Sequence, residues 1–227
     1  MPQTLESPQL FPSVVCDGRR ARGSNWRLAR TLARSGQLGV VSLAAVDERL
    51  VQQLQQGDIG GTIRWALERC PLSEIAREII DRYFVPCGSD SPLPLATLPP
   101  LSDAEQSALQ MVSAFTEVFL AKQGHRGAIG VAWPDEDTLD ELGLLYGAML
   151  AGVDCVLAPR NAAPCVSLAI ELIASDAPSP DAPWTLPSVV VIDSSSAEAV
   201  TLSRSLPLQP PSRVAALSSL TNLTCFL

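Results

Sequence analysis

The sequence contains a single histidine, His125, and none of its six cysteines belongs to a Cys-x-x-Cys pair. Because zinc sites are built mainly from clustered cysteines and histidines, we expect no metal site. The Gly-x-Gly-x-x-Gly signature of dinucleotide-binding folds is also missing. Gly57 and the Gly60-Gly61 pair lack the Lys-Ser/Thr that completes a P-loop, so we interpret them as helix ends.

Charge is also scarce in this chain. Charged residues make up 18% of its 227 residues, against about 25% in a typical globular protein. The formal net charge of −8 disfavours nucleic acid and anionic membrane surfaces as partners. The longest apolar run, 142–159, is interrupted by Asp154 and is shorter than the about 20 residues of a membrane helix. With no basic and apolar leader at its start, the chain is expected to be cytoplasmic.

What is abundant is apolar material, 47% of the residues, arranged in a repeating order. Short apolar runs predict strands at 13–16, 38–42, 128–133, 155–158, 189–192 and 214–217. Capping signals predict helices beginning at Ser24 and at the capping boxes Ser102/Glu105, Thr138/Glu141 and Ser195/Glu198. Residues 47–83 predict two or three helices, and a short helix is expected at about 165–174.

This alternation is typical of βαβ units around a parallel sheet. We predict an α/β fold, a (β/α) barrel of the TIM type with parallel strands and outer helices, whole or incomplete. A closed barrel needs eight strands and only about six are found, so an open Rossmann-like sheet remains the alternative.

The predicted domain organisation is simple. Residues 1–12 form a loose N-terminal segment, and 13–217 form one barrel-type domain. Proline-rich loops interrupt that domain at 86–101 and 175–187. Residues 218–227 form a tail with no assignment.

Six segments of the first two thirds of the chain follow one another in the order known from one enzyme family. They are 24–30, 36–42, 54–61, 81–84, 117–125 and 145–154, which include SNWRLAR, GQLGVVS and LYGAMLAGVD. Together they resemble the nitronate monooxygenase family, also called 2-nitropropane dioxygenase-like proteins. The resemblance implies an FMN-dependent barrel, a flavoprotein oxidoreductase that oxidises nitronates, nitroalkanes or a related small molecule.

By family position, the residues implied to bind the cofactor are Gly18, Ser42 and Gly130. The turns that follow the strands differ from the family. Its Gln-Gly-Gly-Met-Gly turn is replaced by 16–20, its Ser-Gly-Thr by 42–44, and its Gly-Ala-Gly by 159–161. The family's histidine motif is absent as well. Two alternatives follow, a non-catalytic half-barrel scaffold or partner subunit, and a flavin-dependent enoyl reductase of the polyketide and fatty-acid type.

The candidate catalytic residues are His125 and Asp135. His125 could act as a base, or it could lie just past a helix end, where the helix dipole favours it. Asp135 follows a predicted strand, as do Glu136 and Asp137, and all three could instead begin the next helix. Asp193 has the same two interpretations.

Two further features bear on binding. Arg19, Arg20 and Arg22 form either an anion site or a solvated loop. An incomplete barrel would leave an unpaired strand edge, so we expect a homo-oligomer or a partner chain that completes it.

Overall fold

The computed structural model describes residues 24–134 and 142–158, the single positions 162, 166, 169 and 170, and the backbone of four later strands. The helices are α1 (Trp26–Arg34), α2 (Val46–Gln55), α3 (Thr62–Leu67), α4 (Ser73–Tyr83), α5 (Asp103–Ala121) and α6 (Leu142–Leu150), with a 3₁₀ turn at Leu95–Thr97. The strands are β1 (Gly39–Ser42), β2 (Ile129–Ala132), β3 (Cys155–Ala158), β4 (Trp184–Leu186), β5 (Val190–Asp193), β6 (Ala199–Thr201) and β7 (Leu206–Leu208).

The main sheet has the order β1-β2-β3-β5-β6. Its first four strands are parallel and lie side by side in chain order, whereas β6 is antiparallel to β5. A separate antiparallel pair joins β4 and β7. The α/β class and the parallel sheet are therefore confirmed, and the expectation that every strand would be parallel is wrong.

The two faces of the sheet have different neighbours. Alternate side chains of β1, β2 and β3, among them Val41, Val131 and Val156, belong to one apolar cluster with α1, α5 and α6. The other face forms a small cluster of strand and strand-flanking residues: Leu38, Val40, Ala132, Cys155 and Leu157. The described helices thus cover one face only, which differs from the two-sided covering of a Rossmann-like sheet.

Helix α5 is the centre of the helical part. The predicted capping box at its start is present, since Ser102 and Glu105 bind each other's backbone N–H groups. The other helices pack around it, and α6 approaches so closely that a Cβ on Gly147 would lie 1.9 Å from the Met111 carbonyl oxygen. A glycine is therefore required at this crossing.

Most predicted elements of the first half of the chain are confirmed. Three helices occupy 47–83, and 86–101 is a connecting loop apart from the 3₁₀ turn. The cap of α1 differs from the prediction, because Asn25, not Ser24, accepts hydrogen bonds from the first free N–H groups. The Ser24 hydroxyl donates to the Val40 carbonyl instead, which ties the start of α1 to β1.

Two predictions for the second half are wrong. Strand β4 lies in the segment 175–187, which we expected to be a loop, and β6 occupies 199–201, where a helix was expected after Ser195. The pairing of β6 with β5, and of β4 with β7, outweighs the local capping and proline signals, as tertiary context does for short segments rich in Val, Thr and Trp.

Several predictions fall outside the described residues. They are the loose segment 1–12, the strands 13–16 and 214–217, the Thr138/Glu141 capping box and the tail 218–227. Within the part of the chain that the structure describes, there is no helix with the length and apolar character needed to cross a bilayer.

Candidate functional site at the carboxyl edge of the sheet

The parallel strands bring their carboxyl ends to one edge of the sheet. β1 ends at Ser42, β2 at Ala132, β3 at Ala158 and β5 at Asp193. The register pairs Ser42 with Ala132 and Ala158 with Asp193, while Ala132 pairs with Leu157, the residue before Ala158. The four strand ends therefore lie along one edge, with a step of one residue between β2 and β3. Ligands of parallel α/β proteins bind outside this edge, which makes it the candidate site.

The described part of the rim consists of small side chains. Ser42, Ala132 and Ala158 are all buried, with 1%, 6% and 0% exposure. On β1 and β2 the alternation of side chains places Ser42 and Ala132 on the face away from the helices, in register with each other. On this face Leu157 of β3 lies beside Ala132, so the small side chains of the rim are those of β1 and β2.

The turn after β1 is held by Arg49 of α2. Its Nη2 donates to the Ser42 carbonyl at 2.7 Å, and its Nη1 donates to the Ala44 carbonyl at 2.6 Å. The Ser42 N–H donates to the Ser24 carbonyl at 3.1 Å, so both backbone groups of Ser42 have partners inside the chain. Ala45, which follows this turn, has a φ of 51°, a left-handed conformation that is costly for a residue with a Cβ.

A buried carboxylate lies behind this turn. Glu117 of α5 is 5% exposed, and its Oε2 accepts a hydrogen bond from the Trp26 N–H at 2.8 Å. Its Oε1 lies 3.8 Å from Arg49 Nε. Burial raises the pKa of Glu117, while the charge of Arg49 and the Trp26 hydrogen bond oppose that rise without cancelling it.

Two buried donors have no hydrogen-bond partner among the described residues, although one of them lies 3.8 Å from Glu117 Oε1. They are Arg49 Nε and the indole Nε1 of Trp26. Buried N–H groups are nearly always paired in native proteins, so unpaired ones mark places where another acceptor can bind.

Gly130, expected to contact the cofactor, lies in the middle of β2. A Cβ there would come within 2.7 Å of Cys155 Sγ and 3.1 Å of Leu157 Cδ1, because these β3 side chains fill the space beside it. Gly130 therefore serves the packing of β2 on β3. Cys155 is fully buried, and burial raises its pKa to about 12, so it behaves as a small apolar side chain.

His125 lies at the opposite edge, between the end of α5 and the start of β2. Its Nδ1 accepts a hydrogen bond from the Gly127 N–H at 3.1 Å, so Nε2 carries the proton and donates to the Ala121 carbonyl at 2.6 Å. Both ring nitrogens are thus used to close the end of α5. The structure does not bring His125 together with Ser42.

The remaining sequence candidates divide into two groups. Asp193 lies at the carboxyl edge as the last residue of β5. Gly18, Asp135 and the arginines 19, 20 and 22 lie outside the described residues.

Sequence reasoning missed Arg49 and Glu117 as members of this edge. A signal for Glu117 was present, because it is a lone carboxylate between Phe115 and Phe119, in a helix whose surrounding positions are buried. Nothing local marks Arg49, since its role depends on where α2 meets the end of β1.

Comparison of the chain with protein families, curated proteins and solved structures found no match.

Proposed function

We propose that the chain is a nitronate monooxygenase-like flavin oxidoreductase built on a (β/α) barrel of the TIM type, whole or incomplete. The observation that carries the proposal is the row of small residues at the ends of neighbouring parallel strands, Ser42 and Ala132, on the face away from the helices. In barrel enzymes this edge and this face surround the bound cofactor.

The strand order supports the barrel part of the proposal. Four parallel strands follow one another in chain order, and the described helices that touch the sheet lie on one face. A barrel arises when such a singly wound sheet closes on itself, whereas a doubly wound sheet reverses its order.

In this proposal FMN lies at the rim, with Ser42 and Ala132 beneath its ring. The indole N–H of Trp26, which is buried and has no hydrogen-bond partner among the described residues, is a donor that the cofactor could use. When bound, FMN would accept electrons from a nitronate anion, and O₂ would be the final electron acceptor. Gly130 does not fit a cofactor contact, because Cys155 fills the space beside it.

The chain's own part in the reaction is to hold the turn after β1. Arg49 binds the carbonyl groups of Ser42 and Ala44, and Glu117 keeps the Arg49 charge compensated. Glu117 is also bound to the Trp26 N–H, so we assign it to positioning and not to proton removal. A nitronate anion is already deprotonated and needs no base, so we propose it, and not the neutral nitroalkane, as the substrate.

The test is the absorption spectrum of the purified protein, followed by titration with FMN. We expect a yellow protein, or a colourless one whose addition quenches FMN fluorescence, and oxygen uptake with an alkyl nitronate. A colourless protein that neither quenches FMN nor consumes oxygen would overturn the proposal.

A matched pair of substitutions on β2 and its flank locates the site. Ala132→Leu adds bulk at the carboxyl end of β2. Ala128→Leu adds the same bulk four residues earlier, just before β2, where Ala128 packs against the apolar cluster that also contains Ala132. We expect Ala132→Leu to weaken FMN binding at least about tenfold, roughly 1.4 kcal/mol, and Ala128→Leu to leave it within about twofold. Equal losses in both would place the flavin elsewhere.

A second candidate is a non-catalytic half-barrel scaffold or partner subunit. The observation in its favour is that both backbone groups of Ser42 are already bonded within the chain, to Ser24 and Arg49. Absence of flavin binding in a protein that unfolds cooperatively would favour this candidate over the enzyme.

A further inference from the structure

Helix α1 carries a row of arginines that form no ion pair with the residues the structure describes. Arg27, Arg30 and Arg34 follow the spacing i, i+3, i+7, which places them along one side of the helix. Arg27 and Arg34 are exposed and Arg30 is half-buried. The ion pairs found among the described residues involve five other cations, none of them on α1: Arg49, Arg64, Arg69, Arg82 and Lys122. We call Arg27, Arg30 and Arg34 the basic row.

These arginines form no ion pair with the described residues, although the charge of Arg27 opposes the rise in the pKa of the buried Glu117. The Arg27 guanidinium lies 4.5 Å from the ring centre of its neighbour Trp26. Arg30 lies beside Gly124, and its Nε has no hydrogen-bond partner among the described residues. The first turn of α1 contains no acidic residue. The basic row is therefore a concentrated positive surface on a chain of net charge −8.

Helix α4 carries the complementary pattern. Glu74, Glu78 and Asp81 follow the spacing i, i+4, i+7, are all exposed, and take part in none of the ion pairs of the described residues. Arg77 lies to one side of them and is not paired with them in that part of the chain. We call Glu74, Glu78 and Asp81 the acidic row.

The two rows match in length, since each spans two helical turns, about 10 Å. They lie on different sides of the molecule, because α1 packs against β1, β2 and α5, whereas α4 packs against α2, α3 and α5. The rows therefore satisfy each other most directly between two molecules.

We propose that the basic row of one molecule docks on the acidic row of a second copy of this chain. Because the two rows lie on different sides of the molecule, the contact is head-to-tail, and it extends to rings or chains of molecules. Exposed ion pairs each contribute little, so the association is weak and is dissociated by salt.

The experiment is sedimentation velocity of the full chain over a range of protein concentrations, in about 10 mM and about 300 mM salt, where the Debye lengths differ several-fold. We expect the weight-average mass to rise at least twofold with concentration in low salt and to stay at the monomer value in high salt. A monomer at every concentration in low salt would refute the proposal.

Charge reversal identifies the surfaces. We expect Arg30→Glu with Arg34→Glu, and separately Glu74→Lys with Glu78→Lys, to leave only monomer in low salt. Each glutamate-to-lysine change adds two charges, so the second variant has a net charge of −4 in place of −8. It repels itself less than the parent protein and should still lose association, which separates the proposed contact from general repulsion.

A mixture of the two variants tests directly whether the basic row and the acidic row are partners. Each then offers the other a complementary surface, so we expect a one-to-one mixture to associate again. A control variant exchanges the exposed pair outside both rows, Glu68→Arg with Arg69→Glu, and should associate like the parent. If only the arginine variant loses association, or if the mixture stays monomeric, the acidic row is not the partner and the proposal is wrong. Circular dichroism confirms that each variant is folded.

Discussion

Among the described residues, one ion pair lies at each edge of the parallel sheet, and the two pairs differ in their surroundings. At the amino edge, Lys122 Nζ binds Asp154 at 2.9 Å, and the Asp154 carboxylate also accepts the Ile129 N–H at 2.7 Å. The Lys122 and Asp154 side chains are 29% and 39% exposed. At the carboxyl edge, Arg49 and Glu117 are 18% and 6% exposed and lie 3.8 Å apart, with one donor left unpaired.

The pair at the amino edge stabilises the fold, whereas the pair at the carboxyl edge also holds the turn of the candidate site. The amino-edge pair is partly exposed and closely bonded, and at the same edge the ring of His125 closes the end of α5. The carboxyl-edge pair is desolvated and imperfectly bonded, and it holds the turn that precedes a left-handed alanine, Ala45. Imperfect bonding and backbone strain cost stability, so they are typical of functional edges.

The largest expected effect is that of removing the buried carboxylate. Glu117→Ala leaves Arg49 buried without a counter-charge and removes the acceptor for the Trp26 N–H. We expect the free energy of unfolding to fall by about 3–5 kcal/mol. Urea denaturation measures this loss, and Glu68→Ala, which breaks an exposed pair with Arg69, serves as control with a change below about 1 kcal/mol. A loss as small as the control's would show that Glu117 is not essential to this edge.

Breaking the amino-edge pair should cost less. Asp154→Ala removes a charged acceptor from the Ile129 N–H and from Lys122, and we expect a loss of about 2 kcal/mol in urea denaturation. Lys122→Met leaves Asp154 half-exposed with its backbone partner, so about 1 kcal/mol or less is expected. If Asp154→Ala lowered the free energy of unfolding as much as Glu117→Ala, the contrast between a solvent-exposed and a buried ion pair would not hold.

The smallest effect is a dependence of stability on pH that arises from Glu117 at the carboxyl edge. Burial raises the pKa of Glu117 above its ordinary value of 4.5. Between the ordinary and the raised pKa the folded state binds more protons than the unfolded state, so stability falls as pH rises through this window. Glu117→Gln cannot titrate and lacks this slope.

The measurement for that prediction is the difference in unfolding free energy between the parent and Glu117→Gln at several pH values from 4 upward. We expect the difference to move in favour of the variant as pH rises above about 4.5 and then to level off. A difference that stays constant, or that moves in favour of the parent, would contradict the pKa direction.

Much of the first half of the fold could be predicted from local signals. The capping box at Ser102 and the apolar runs that became β1, β2 and β3 depend on neighbours within a few residues, which the sequence displays directly. The strands β4 and β6 could not be predicted, because the local proline and capping signals point the other way and only pairing outweighs them. β4 pairs with β7, about 20 residues further on, and β6 pairs with the strand just before it.

The candidate site shows the same division. Ser42 could be placed at a strand end from the sequence, because the strand itself is a short apolar run followed by a turn. The roles of Gly130 and Arg49 could not, since one depends on the β3 side chains beside it and the other on two carbonyl groups across a turn. A glycine in a strand predicts close approach without naming what approaches.

By itself, the sequence determined the α/β class, the positions of the early strands and helices, and the small residues that end β1 and β2. Only the tertiary structure decided which edge holds the buried Arg49–Glu117 pair and which edge holds His125. The reason is physical: periodicity and capping act over one or two turns of chain, whereas burial and charge pairing depend on which segments the fold brings together.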